Sequence, residues 1–384
     1  MAERKKILWL VSWYPNKYDA FDGDFIQRHA RAAALYDDVH VIFVKASEQQ
    51  SRVEENLNET EGLTEQVIYL PKQKGITGKL KNYTEWKRIY KTAVHSFMQK
   101  NKPSVVHVHI PWKVGLIALW IKKTYGIPFI VTEHWGIYNT IVDDNIHTKS
   151  FPVRYLLKRI FKEASEFISV SEYLGEGVKQ TLIKKEYSVI PNVVDTSLFY
   201  PVKEKHSRFT FLHVSNMVPL KNIEGILHAF QHFLETGADA QLVLIGNKDD
   251  HYEQLAEKLK LLNTSVFFKG EIPYADVAKE MQRSHVFVLN SDIENSPCVI
   301  GEALCCGLPV IATKVGGIPE LINEQNGILL SSKNNQALTN AITQLYHNHS
   351  KYNSKEIASA TVKKLSINII AQQFHALYSL EGIK

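Results

Sequence analysis

Short runs of apolar residues recur along the chain, each separated from the next by a stretch long enough for a helix. Ile7 to Val11, Val39 to Val44, Val105 to Val108, Phe129 to Thr132 and Phe167 to Val170 are continuously hydrophobic and do not alternate with polar positions. That is the pattern of strands covered on both faces, and hence of a parallel sheet. Between them, Phe25 to Leu35, Thr84 to Met98 and Val153 to Ala164 place apolar residues at helical spacing. The strand-helix rhythm predicts a doubly wound α/β domain. It breaks at Val189-Ile190-Pro191-Asn192 and again from Pro201 to Arg208, where proline and charge interrupt the periodicity. It resumes with Phe209 to Val214, Gln241 to Ile245, Val266 to Phe268, Val286 to Leu289, Val310 to Ala312 and Gly327 to Leu330. Two Rossmann-like domains are expected, residues 1–200 and 201–365. Ligands of such sheets bind beyond the carboxyl ends of the strands, so the residues just after each strand, and the cleft between the domains, are where chemistry is expected.

At 384 residues, 45% of them hydrophobic and 22% charged, the chain can build two cores and is neither disordered nor fibrous. Cys298, Cys305 and Cys306 form neither a disulfide framework nor a zinc pattern, which points to a reducing, cytoplasmic setting. Arg4-Lys5-Lys6 before Ile7 to Val11 imitates a signal peptide but lacks a cleavage site. The longest apolar run, Val114 to Trp120, is far short of the ~18–20 residues that span a bilayer.

Net charge is +5, and residues 1–200 carry the excess, with 28 basic and 22 acidic residues. Between residues 72 and 102 the basic residues Lys72, Lys74, Lys79, Lys81, Lys87, Arg88, Lys91, Lys100 and Lys102 face a single acid, Glu85, with Ile76, Leu80, Tyr83, Trp86 and Tyr90 interleaved. The segment reads either as a solvated helix face or as a surface for anionic membrane, with the protein peripheral on its inner face. No stacking platform or recognition helix supports nucleic acid.

The densest chemistry runs from Asp292 to Pro309. Pro297 suits the first turn of a helix, Ser296 or Asn295 a cap, and Gly307 the position just past its end. Such a helix aims free amides and the positive end of its dipole at whatever lies above the preceding strand, which favours a phosphate. Glu294 precedes that tip and Glu302 lies about two turns inside it. Both carboxylates only accept hydrogen bonds, and sugar hydroxyls are natural donors.

Glu294, seven residues, then Glu302, followed by Gly307-Leu308-Pro309-Val310-Ile311-Ala312-Thr313 and Gly316-Gly317-Ile318-Pro319-Glu320, resembles glycosyltransferase family four. Ser12-Trp13-Tyr14-Pro15 with Gly23-Asp24-Phe25, Val106-His107-Val108-His109, Thr132-Glu133-His134 and Ile190-Pro191-Asn192-Val193-Val194-Asp195 resemble further segments of that family, as does Val214 to Lys221. The resemblance implies the GT-B fold, two Rossmann-like domains facing a central cleft, with a C-terminal helix within about 366–384 packing back on the first domain. It implies a retaining transfer of a sugar from a UDP- or GDP-sugar to an acceptor hydroxyl, on an acceptor sugar or lipid-linked glycan, in cell-surface polysaccharide or glycolipid assembly, with no cofactor and no required metal.

Carried over residue by residue, Glu302 is expected on the donor ribose, Glu294 on the transferred sugar and Lys221 on the diphosphate. His134 is expected at the reacting sugar. Ser296, Pro297, Cys298 and Val299 form the helix tip, Gly246 belongs to the nucleotide-base pocket, and Gly23 lets backbone amides approach the donor phosphate. Many relatives carry arginine where this chain has Asn216, which leaves Lys221 and helix amides, or Lys248 or Lys314, to meet the diphosphate. Asp22 and Asp24 read as loop and helix-start acids, and His107 and His109 as packing residues. Gly75 to Lys79 lacks P-loop spacing, and neither Gly-x-Gly-x-x-Gly nor Gly-x-Ser-x-Gly occurs at a strand end. A GT-B epimerase or phosphorylase, and a non-catalytic nucleotide-sugar-binding assembly protein, are the competing readings.

Overall fold

The computed structural model describes residues 4–331 and 334–380. It divides into two compact units, one running to Val193 and taking in the segment from Ile367, the other Val194–Ser366.

In the first unit the strands are β1 (Lys6–Val11), β2 (Asp38–Ser47), β3 (Glu54–Thr60), β4 (Leu63–Pro71), β5 (Val105–His109), β6 (Phe129–Glu133), β7 (Phe167–Ser169) and β8 (Ser188–Val189). They lie in the order β3-β4-β2-β1-β5-β6-β7-β8. Successive residues of β1 explain its continuous apolarity: Leu8 and Leu10 enter the core on one face, Ile7, Trp9 and Val11 the core on the other. Each such side chain contributes about 1.5–3 kcal/mol of burial. The helices are α1 (Asp24–Ala33), α2 (Gly75–Lys100), α3 (Val114–Tyr125), α4 (Phe151–Glu163) and α5 (Glu172–Thr181). The C-terminal helix Ile367–Tyr378 buries Phe374 and Tyr378 in this unit, with Tyr378 Oη 2.8 Å from His107 Nδ1. Residues 381–384 of the expected tail lie outside the described residues.

The second unit has β9 (Phe209–Val214), β10 (Ala240–Ile245), β11 (Val266–Phe268), β12 (Val286–Leu289), β13 (Val310–Thr313) and β14 (Gly327–Leu330). Their order, β11-β10-β9-β12-β13-β14, is parallel throughout. Around them stand α6 (Ile223–Leu234), α7 (Asp250–Lys258), α8 (Tyr274–Arg283), α9 (Cys298–Cys305), α10 (Asn335–Asn348) and α11 (Ser354–Leu365).

The structure departs from the sequence reading at four points. The first sheet is not wholly parallel, because β3 pairs antiparallel with β4 across Glu61-Gly62, where Gly62 takes φ +73°. Every residue of β3 is exposed, so no apolar signal marks it, and its acids guard the sheet edge. Helix α2 begins at Gly75, well before Thr84. The first unit ends at Val193 and not at residue 200, because Val194 N already donates to Leu365 O at 2.8 Å within the second unit. Among the apolar residues interleaved with the basic segment, Tyr90 is fully buried and Tyr83 and Trp86 are half-buried, while Ile76 is 89% and Leu80 68% exposed.

Candidate functional site

In each sheet the first strand has neighbours on both sides that the chain reaches in opposite directions, and doubly wound sheets bind their ligands beyond the strand ends at such a point. In the second unit that point lies between β9 and β12. The loop after β9 is held by a buried histidine: His213 Nδ1 is 2.8 Å from Val288 O and its Nε2 is 2.8 Å from Ser215 Oγ. Burial lowers the His213 pKa to about 4, so the ring is neutral and structural. The loop then passes Met217 and Asn222, both with left-handed φ, and Asn222 caps α6 by accepting from Gly225 N at 3.2 Å. Asp292 N donates to Leu220 O at 2.8 Å and ties this loop to the one after β12.

Across that tie Lys221 Nζ donates to Glu294 Oε1, and Ser291 Oγ donates to the same oxygen at 2.7 Å. Both bonds fall on Oε1, so Oε2 keeps its lone pairs for another donor. The Glu294 backbone is clamped by Gly317 N, which donates to Glu294 O at 3.1 Å. Gly316 has φ +55°, and a β-carbon there would lie 1.6 Å from Glu294 O, so only glycine lets the two loops close.

Helix α9 starts immediately beyond. Pro297 itself holds the cap position and no side chain caps the helix, so the expected Ser296 or Asn295 cap does not form. Cys298 and Val299 are half-buried at the tip. Glu302 is 2% exposed and its Oε1 accepts from Tyr274 Oη at 2.7 Å. Gly246, after β10, takes φ +149° with the position of a β-carbon 1.7 Å from Ser215 O, so the β9 and β10 loops lie against each other. Asn216 is exposed on the β9 loop. Lys248 is exposed and 3.4 Å from Asp250, and Lys314 is exposed with its amide bonded to Leu330 O, so the cation joined to Glu294 is Lys221.

His134 and Gly23 belong to the first unit. Gly23 has φ +66°, and a β-carbon there would lie 2.6 Å from the Trp13 carbonyl carbon. Its bare backbone is therefore required by its own chain. Asp22 accepts from Lys45 at 2.6 Å, and Asp24 opens α1 with Arg28 at 3.1 Å.

His134 follows β6 and is 7% exposed. Its Nε2 lies 3.1 Å from His109 Nδ1. One ring donates and the other accepts across this contact, and the tautomer decides which. Burial lowers all three of His29, His109 and His134, and the rings are neutral. Their nitrogens approach within 4.8 Å, a spacing a metal ion also accepts, while His29 Nε2 lies 2.9 Å from Pro191 O.

Sequence reasoning missed Glu133. It is fully buried; Oε1 accepts from the amides of His134 and Trp135, both at 2.9 Å, and Oε2 from Tyr138 Oη at 2.8 Å. Burial raises its pKa from 4.5 to about 7, against the pull of those bonds. A carboxyl with a folded pKa above its unfolded value holds its proton more tightly when folded. Its contribution to stability is therefore full below about pH 4.5 and is lost as pH rises through about 7. Thermal melts of Glu133→Gln between pH 4.5 and 8 are expected to decline less than those of the wild type, by at most roughly 3 kcal/mol at 1.36 kcal/mol per pKa unit. Parallel profiles would remove this reading. The two residues missed in the second unit, Ser291 and Tyr274, act through contacts no motif spacing reveals, whereas Gly316 stood in a quoted motif and the structure adds its close approach to Glu294.

Two Rossmann-like units with carboxylates and a lysine at a switch point define a glycosyltransferase of the GT-B class. The family model "Glycosyltransferase Family 4" matches residues 27–198 and "Glycosyl transferases group 1" residues 197–361. The chain belongs to glycosyltransferase family four. It is 25% identical over 366 residues to TuaC of Bacillus subtilis, named as a teichuronic acid biosynthesis glycosyltransferase, with 89% of each chain covered. It is 26% identical over 239 residues to N-acetyl-alpha-D-glucosaminyl L-malate synthase of Bacillus anthracis, covering 58% of this chain and 60% of that one. Among solved structures, sucrose-phosphate synthase of Thermosynechococcus elongatus superposes with TM-score 0.78 at 21% identity, covering 97% and 98% of the two chains. Anabaena HepE in complex with UDP and glucose superposes with TM-score 0.70 at 18% identity, covering 98% and 100%. Among the described residues no helix is long and apolar enough to cross a membrane.

Proposed function

We propose that this chain is a retaining hexosyltransferase that moves a sugar from a UDP- or GDP-sugar to an acceptor hydroxyl, without a required metal, in the assembly of cell-surface polysaccharide or glycolipid. The observation that carries the reading is the Lys221–Glu294 pair at the β9–β12 switch point, with Glu302 about one turn into the adjoining helix. Glu302 receives the ribose hydroxyls, Glu294 Oε2 the hydroxyls of the transferred sugar, and Lys221 with the α9 amides the diphosphate. The leaving diphosphate gains charge in the transition state, and a fixed cation stabilises that state more than the ground state. His134 meets the reacting sugar as a neutral ring, hydrogen-bonding one of its hydroxyls. Attack comes from the face the diphosphate leaves, and a leaving phosphate oxygen takes the acceptor proton. The UDP and glucose bound by HepE support a uridine donor, and the teichuronic acid biosynthesis of TuaC supports a polysaccharide product. Peripheral contact with anionic membrane through residues 72–102 belongs to the same proposal, supported by the exposed Ile76 and Leu80 among the lysines.

A panel of UDP-glucose, UDP-N-acetylglucosamine, UDP-galactose and GDP-mannose in excess EDTA tests the proposal by thermal shift. At about 100 times Kd, ligand binding adds about 2.7 kcal/mol, enough to raise Tm by at least roughly 3 °C. Failure of every nucleotide sugar to raise Tm would remove it.

A further inference from the structure

The first unit holds a second constellation, at its own switch point. A cavity of about 660 Å³ opens beyond the ends of β1, β2 and β5, lined by Ser12 and Trp13 after β1, Lys45 at the end of β2 and Trp112 and Lys113 after β5. Helix α2 closes its side with Lys79, Tyr83 and Trp86, and Lys72 also lines it. The lining therefore sets four lysines against one aspartate, Asp22. Lys45 is paired with Asp22 at 2.6 Å and Lys72 with Glu48 at 3.3 Å. Lys79 and Lys113 have no ion-pair partner among the described residues and are exposed.

Lys113 is also strained. Its φ is +67° with ψ −57°, outside the regions open to a residue with a β-carbon, and the Ser12 hydroxyl fastens the same turn by donating to Ile110 O at 2.7 Å and Trp112 O at 2.9 Å. Strain of this kind costs about 1–3 kcal/mol and persists where the surrounding structure over-determines it. The aromatic members are ordered for stacking: Tyr83 and Trp86 lie parallel at 6.0 Å, and Trp13 meets Trp135 edge-on at 6.2 Å. Flat apolar rings beside unpaired cations match a ligand that is a saccharide ring at one end and a phosphate at the other. On the first two turns of α2, beside Lys79, the exposed Ile76 and Leu80 offer hydrocarbon contact to anything attached to that phosphate.

We propose that this cavity is the acceptor site and that the acceptor is a saccharide carrying a phosphate or diphosphate, its ring on Trp112, Tyr83 and Trp86 and its phosphate on Lys79 and Lys113. The proposal rests on the transferase reading and supplies the substrate class that reading leaves open. The phosphate belongs either to a free sugar phosphate or to a lipid headgroup, and the two are separated by the choice of probe.

Isothermal titration of the full chain with N-acetylglucosamine 1-phosphate, with undecyl diphosphate-linked N-acetylglucosamine and with neutral octyl N-acetylglucosaminide tests it, alongside UDP. Wild type is expected to bind a phosphorylated probe at least tenfold tighter than the neutral one. Lys79→Glu with Lys113→Glu is expected to erase that difference while UDP binding stays within twofold. Tighter binding of the diphosphate lipid than of the sugar phosphate assigns a lipid source, and equal binding a free one. The single variant Lys79→Glu, on an exposed helix turn away from the strained residue, is expected to lose at least threefold and guards against misfolding of the double variant. Phosphorylated probes that bind no tighter than the neutral one, or an unchanged preference in the variants, would overturn the proposal. UDP failing to bind wild type while the phosphorylated probes bind would instead remove the donor reading and leave the cavity assigned.

Discussion

Lys221→Ala is expected to lower kcat by about 10–150-fold, the range set by losing one charge-assisted contact of about 1.5–3 kcal/mol in the transition state. In the unliganded protein Lys221 already spends its charge on Glu294. The donor therefore arrives at a neutral pair and draws Nζ toward its diphosphate as negative charge grows there, which frees Glu294 Oε1 for the sugar. Removing the ammonium costs the leaving group its cation and leaves Glu294 held by Ser291 alone. Both losses fall on the reacting complex. The pair is only 19% and 11% exposed, so the folded protein is also expected to lose about 1.5–3 kcal/mol and Tm to fall by roughly 3–12 °C. Lys221→Arg, which keeps the charge but not the point geometry, should recover part of the rate. A kcat within threefold of wild type for Lys221→Ala would take the lysine out of the chemistry.

Glu302→Ala is expected to lower kcat/KM for the nucleotide sugar at least tenfold, chiefly through a higher donor KM. The reason is positional. Glu302 sits inside α9, 2% exposed, with one oxygen engaged by Tyr274 and the carboxylate fixed by the helix. A pair of ribose hydroxyls meeting a preorganised acceptor gains hydrogen bonds at little entropic cost. Burial adds a second effect, because the alanine leaves the Tyr274 hydroxyl without its acceptor, at about 1–3 kcal/mol of stability. Glu302→Gln separates the two, since its amide oxygen can still accept from Tyr274. It should hold Tm near wild type while donor KM remains raised severalfold. Equal donor KM in wild type and both variants would move the ribose elsewhere.

The sheets were legible because their strands are buried on both faces, and a run such as Ile7 to Val11 has no other economical reading in a chain of this charge. The second-unit site was legible for a related reason: Glu294, the α9 tip and Glu302 are contiguous in sequence, so local spacing carries them. What escaped depends on contacts between distant segments. Strand β3 is polar throughout and shows itself only by pairing with β4. Gly23 was read as glycine for the approach of a phosphate, and the structure adds a second reason the sequence did not show, the Trp13 backbone ten residues earlier. The Glu133 carboxylate could not be separated from any other acid before its three donors were seen around it. Lys79, Lys113 and Trp112 meet only because β1 lies between β2 and β5, a neighbour relation no motif encodes.

The central claim is that Lys221, Glu294 and Glu302 hold an activated sugar, and a crystal structure of the full chain soaked with the best nucleotide sugar of the thermal-shift panel measures it most directly. The account predicts the diphosphate within hydrogen-bond distance of Lys221 Nζ and the α9 amides, the ribose on Glu302 and the hexose hydroxyls on Glu294. A nucleotide seated away from the β9–β12 switch point, with Lys221 still paired to Glu294 and no ribose hydroxyl on Glu302, would contradict it.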